Sequence, residues 1–80
     1  MENRIIKSVK KSLANCKRGA WNDLSSEDIR LLVLYQEDQF LMHEEELTDK
    51  EYATFTRLIK ELIVEVEKKT KIVIQLEYIQ

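Results

Sequence analysis

Apolar residues recur along the first stretch of the chain at helical spacing. With successive residues set about 100° apart, Ile5, Ile6, Val9, Leu13 and Cys16 share one arc. Arg4, Lys7, Lys10, Lys11, Lys17 and Arg18 share the opposite one. This pattern predicts a basic amphipathic helix from about Glu2 to Arg18. Lys17 and Arg18 suit the negative end of its dipole, and Gly19 can take the left-handed conformation that stops it. A short link, 20–24, carries Trp21. Its large apolar area is stabilising when buried, so Trp21 reads as a lid over the nearby core.

Two helix-start signals follow. In the first, Ser25 can cap free amides, Asp28 lies at the third helical position, and Leu24 can staple against Ile29. In the second, Thr48 and Glu51 form a capping box, and Leu47 can staple against Tyr52. Together they divide residues 25–70 into two antiparallel helices with a very short connection, an αα-hairpin. The later helix, Asp49 to about Lys69, is cleanly amphipathic. Tyr52, Phe55, Leu58, Ile59, Leu62, Ile63 and Val66 lie on one arc.

The earlier helix of the hairpin is less orderly. Ile29, Val33 and Phe40 lie on one side, and Leu31, Leu34, Leu41 and Met42 on another. Arg30, Glu37 and Glu44 make a narrow polar strip between them. A helix apolar on two sides needs cover on two sides, from its neighbours or from a second subunit.

The tail from Lys71 to the C-terminus loses the helical period. Ile72, Ile74, Leu76 and Tyr78 alternate with Gln75 and Glu77, as in a strand. A strand needs a partner. One route is α+β, in the order αββαβ, with Leu31–Tyr35 and Gln39–His43 as a β-hairpin beside the tail. The other is all-α, with the tail paired to its copy in a dimer or left as a frayed end. The hairpin lacks a Gly or Asn turn, and the Ser25 cap argues for helix. The all-α reading is therefore the preferred expectation.

Eighty residues make one domain, 1–80. Leu, Ile, Val and Phe supply 25 of them, enough for a core and well above the roughly 20% that marks disordered chains. There is one glycine and no proline, which favours helix over turn-rich sheet. The net charge of −2 hides an asymmetry: +5 over residues 1–19, −8 over 20–51 and +1 over 52–80. The acidic block gathers Glu37, Asp38, Glu44, Glu45, Glu46, Asp49 and Glu51 towards the hairpin tip.

Chemistry is sparse. The single thiol, Cys16, sits on an apolar arc, where an unreactive buried thiol is expected. One cysteine cannot make an intrachain disulfide or a Cys-based zinc site, and it suits a reducing compartment. The single histidine, His43, has only Gln39 and Glu46 at chelating helical spacing. One glycine cannot make a phosphate loop. No enzyme activity, cofactor or metal is expected. The N-terminal charges Glu2, Arg4 and Lys7 interrupt any signal-peptide-like apolar run, and no run is long enough to span a bilayer. A cytoplasmic location and no membrane partner are the expectation.

Two macromolecular readings remain. The leading one is a protein–protein interaction module acting as a regulator or inhibitor, its acidic tip entering a cationic groove. It is expected to be a homodimer joined through Leu31, Leu34, Leu41, Met42, Ile72 and Ile74. The alternative is nucleic-acid binding by the basic face Arg4, Lys7, Lys10, Lys11, Lys17 and Arg18. That face interleaves no aromatic to stack bases, and the acidic remainder opposes it.

Overall fold

In a computed structural model of the chain, which describes residues 2–79, three helices pack around one core. Helix α1 spans Arg4–Lys17, α2 spans Ser26–Met42 and α3 spans Asp49–Thr70. A single turn of 3-10 helix, Glu44–Glu46, joins α2 to α3. The fold is all-α, and among the described residues there is no strand.

Local chemistry sets the helix ends. The Asn3 side chain accepts from the Ile5 amide at 2.7 Å and starts α1. Ser25 accepts from the Asp28 amide at 3.1 Å and starts α2. At α3 the box closes both ways: Thr48 accepts from the Glu51 amide at 3.1 Å, and Glu51 accepts from the Thr48 amide at 2.9 Å. Past the end of α1, Gly19 has φ +85°. Its amide donates to Cys16 O, and the Ala20 amide donates to Asn15 O. This paired closure satisfies carbonyls that the helix leaves open.

Apolar arcs meet in the core. Ile5, Ile6, Val9, Leu13 and Cys16 of α1 are buried, as are Phe55, Leu58, Ile59, Leu62 and Val66 of α3. Helix α2 contributes Ile29, Val33 and Phe40. The rings of Phe40 and Phe55 stack 4.3 Å apart, only 5° from parallel. Trp21 packs half-buried against this cluster, as a lid would. The Cα envelope measures 34 × 25 × 16 Å. Since a helix with side chains is about 10–12 Å across, the short dimension leaves every helix a solvent face.

The tail corrects the strand expectation. Lys71 turns the chain with φ +60°, and residues 72–79 run back without regular structure. Residues 31–43, the proposed hairpin partner, belong to α2 and its C-terminal end, so the αββαβ order is excluded. The tail's amides go to side chains instead. The Ile74 amide donates to Glu67 Oε2 at 3.2 Å. The amides of Glu77, Tyr78 and Ile79 all donate to the Glu37 carboxylate, at 3.1, 3.1 and 3.0 Å. Alternate burial holds for Ile72, Ile74 and Leu76, then a bend at Glu77–Tyr78 shifts the phase. Ile79 is buried where alternation called for Tyr78, which is exposed.

Candidate functional site

The apolar surface left exposed by this packing concentrates on α2. Leu24, Leu31, Leu32 and Tyr35 are 38%, 55%, 37% and 55% exposed. With Asp28 they line one shallow groove. Leu31 and Tyr35 also line a second depression, with Leu34, Asp38, Glu37 and Glu77. The two share a wall and form one strip along the outer side of α2. Its spacing, from Asp28 through Leu31 and Leu32 to Tyr35, is a second helical stripe beside the buried one. That stripe is present in the sequence, but the rival grouping of Leu31, Leu34, Leu41 and Met42 obscured it. Leu32 and Tyr35 escape the sequence pattern for that reason, and Leu24 because its place before the Ser25 cap reads as a staple against Ile29.

Acids border the strip: Asp28 at one end, Asp38 and Glu77 at the other, and Glu27 one turn before Leu31. Asp28 and Asp38 are about 15 Å apart along the helix at 1.5 Å per residue. The one cation on the helix, Arg30, reaches back to Glu27, with Nε 3.7 Å from Oε2.

The acidic tip is smaller than the sequence suggested. Glu37 is 1% exposed and binds the tail, so it cannot be part of an acidic surface. Glu51 closes the α3 cap. Glu46 sits 2.7 Å from His43 Nδ1 and 3.8 Å from the Arg4 guanidinium, which in turn lies 3.1 Å from His43 Nε2. Arg4 can only donate, so Nε2 accepts and Nδ1 carries the proton shared with Glu46. This triad ties the start of α1 to the α2–α3 turn. Glu44, Glu45 and Asp49 remain exposed beside it.

Most of the basic face is also engaged within the chain. Lys10 pairs with Glu2, Lys17 with Glu61 at 3.0 Å, and Arg18 donates twice to Asn15. The Glu61 hydrogen bond holds the Lys17 ammonium above its ordinary pKa. Of the six, Lys7, Lys11 and Arg18 make no ion pair among the described residues, and only Lys7 and Lys11 also lack a side-chain hydrogen bond.

Of the residues proposed for a dimer interface, Ile74 is buried within its own chain, so it is no part of an exposed interface. Leu34, Leu41 and Ile72 are half-buried, and Leu31 and Met42 are open to solvent. Cys16 and His43 lie at opposite ends of α1. His43 contacts Arg4, which is about 18 Å from Cys16 along the helix. Burial pushes the Cys16 thiol pKa up, against a smaller opposing pull from the Lys69 ammonium. No group of three or more His, Cys, Asp or Glu is arranged for a metal among the described residues. Among the described residues no helix is long and apolar enough to cross a membrane. Comparison with protein-family models, curated proteins and solved structures finds no match.

Proposed function

We propose that the chain is a non-enzymatic protein-interaction module that regulates or inhibits another protein through the outer side of α2. The carrying observation is the exposed strip of Leu24, Leu31, Leu32 and Tyr35 closed at both ends by acids. Apolar side chains supply the contact and the acids select the partner. A partner presenting an apolar ridge flanked by lysine or arginine complements both features. A second copy packed symmetrically on the same strip would set acidic ends against acidic ends, which opposes association. The exposed carboxylates Glu44, Glu45 and Asp49 extend the negative field and speed the approach of a cationic partner. A reducing, cytoplasmic setting suits a module with one buried free thiol.

Fluorescence anisotropy with two labelled helical peptides tests this reading, one of leucine and lysine and one of leucine and glutamate. The lysine peptide should bind, weaken with added salt, and lose at least tenfold in affinity on Leu31→Asp. Equal binding of the two peptides, or binding indifferent to Leu31→Asp, would overturn it.

A further inference from the structure

The C-terminal tail is held to the helices in an unusual way. Beyond the Lys71 amide, which donates to Glu67 O, it makes no backbone–backbone hydrogen bond to the helices among the described residues. Its grip consists of two carboxylates, a long bond from the Ile72 amide to Thr70 Oγ1 at 3.4 Å, and a few apolar side chains. Glu67 takes the Ile74 amide, and Glu37 takes the amides of three consecutive residues, 77–79. Ile74 and Ile79 are buried, with Ile72 and Leu76 packed beside them. All these contacts are made by residues beyond Lys71, and Lys71 is the only non-glycine residue with positive φ among those described.

We infer that this tail is an exchangeable strap, and that two copies of the chain dimerise by seating each tail in the other's groove. Three observations carry the inference. First, the groove is specific: a buried carboxylate with no other partner among the described residues needs those three amides. An empty groove would take those three amides from Glu37 and leave the apolar beds of Ile74 and Ile79 open to water. Any matching tail relieves both, and the nearest match is another copy's. Second, the tail's contacts are the same whether it comes from its own chain or from another, as in domain swapping. Third, the closed hinge carries strain, because a left-handed φ is unfavourable for lysine, and an extended hinge would release it.

A strap on a short hinge competes with its own groove at an effective concentration of about millimolar. The wild-type chain is therefore monomeric at micromolar concentration and exchanges tails towards millimolar concentration. This dimer differs from packing on the outer strip of α2, and Leu32→Asp, in the part of the strip that neither Glu37 nor Glu77 lines, should leave it unchanged.

The decisive experiment separates groove from tail in full-length chains. Glu37→Ala spoils the groove and frees an intact tail. Ile74→Asp with Ile79→Asp spoils the tail and vacates an intact groove. In sedimentation velocity neither variant should associate alone. Mixed, they should form a heterodimer at least tenfold tighter than wild-type self-association, because no intramolecular tail competes. A mixture that stays monomeric, with both chains keeping wild-type helical circular dichroism, would overturn the proposal. The hinge gives a second test that leaves groove and tail intact. Lys71→Val, β-branched and averse to positive φ, should strengthen dimerisation by about tenfold per hinge. Lys71→Gly, which favours the closed turn, should weaken it. Self-association unmoved by either hinge change would also overturn the exchange.

Discussion

Helices α1 and α3 differ from α2 in how they meet the core. Every buried residue of α1 and α3 is apolar and lies on the arc that periodicity assigns to it. In α2 the assignment is partly inverted: Gln36 and Glu37 are buried while Leu31, Leu32 and Tyr35 are exposed. The inversion has identifiable causes. Gln36 accepts from Ser8 Oγ at 3.1 Å and donates to Ser12 Oγ at 3.2 Å, making a polar seam between α1 and α2. Glu37 is satisfied by the tail. A buried polar group is tolerated when its hydrogen bonds are met, and here the partners lie 24 to 42 residues away in sequence. Helices α1 and α3 form the scaffold, and α2 is the adaptable element between core, tail and solvent.

The largest effect should come from the point where α2 joins the scaffold. Phe40 is fully buried and stacked on Phe55. Phe40→Ala should cost about 3–5 kcal/mol, since it removes a ring and leaves a cavity. A domain of this size has a stability near the low end of about 5–15 kcal/mol, so the variant should be largely unfolded or nearly so. Urea denaturation followed by circular dichroism measures it. A loss below about 1 kcal/mol would show that α2 is not anchored through this ring pair.

Glu37→Ala comes next. The variant removes the common acceptor of three amides, and hydrogen bonds to charged groups are worth about 1.5–3 kcal/mol each when intact. The full sum will not appear, because the tail can peel away and give its amides to water. The expected loss is about 2–3 kcal/mol, confined to the tail. Amide exchange should accelerate for residues 74–79 while the amides of α1 and α3 stay protected. Uniform acceleration across all three helices would mean that the tail is part of the cooperative core and would remove the contrast between the two regions.

This contrast also shows what could be read from the sequence. The helices, both Ser/Thr caps, the Gly19 stop and the core arcs of α1 and α3 were legible, because they depend on residues within one or two turns of each other. The Trp21 lid was legible for the same reason. The tail's path was not. Its alternation was visible, but strand was the only structure that alternation suggested, and nothing local says that a carboxylate 40 residues earlier takes its amides. Glu37 was misread for the same reason: on a helical wheel it is one more surface acid. Ser8 and Ser12 position Gln36, a contact between helices that no local pattern announces. The outer strip of α2 was half legible. Leu31 was singled out, whereas Leu24, Leu32 and Tyr35 emerged only once the helix had neighbours.

A smaller effect tests the scaffold at Cys16. Burial raises the thiol pKa, so the folded chain holds this proton more tightly than the unfolded one. The contribution to stability is fully present below the unfolded value of about 8.5 and is lost as pH rises through the higher folded value. Cys16→Ala lacks this titration. The stability difference between wild type and variant should be constant at neutral pH and shrink above pH of about 8.5. A difference that widened with pH would place a thiolate in the fold and contradict the burial at the α1–α3 contact.

The smallest effect on stability belongs to the outer strip, and its smallness is the point. Leu31 is more than half exposed and contributes little to the core. Leu31→Asp should change unfolding free energy by less than about 0.5 kcal/mol, as surface substitutions away from packed features do. The same change should cost at least tenfold in affinity for the leucine–lysine peptide, since it sets a charge in the centre of the contact. The core residue Phe40 should show the reverse: a large loss of stability and, in any fraction that stays folded, an unaltered strip. If Leu31→Asp instead destabilised the chain by more than about 1 kcal/mol, the leucine would be part of the core, and the outer side of α2 would lose its standing as a free surface.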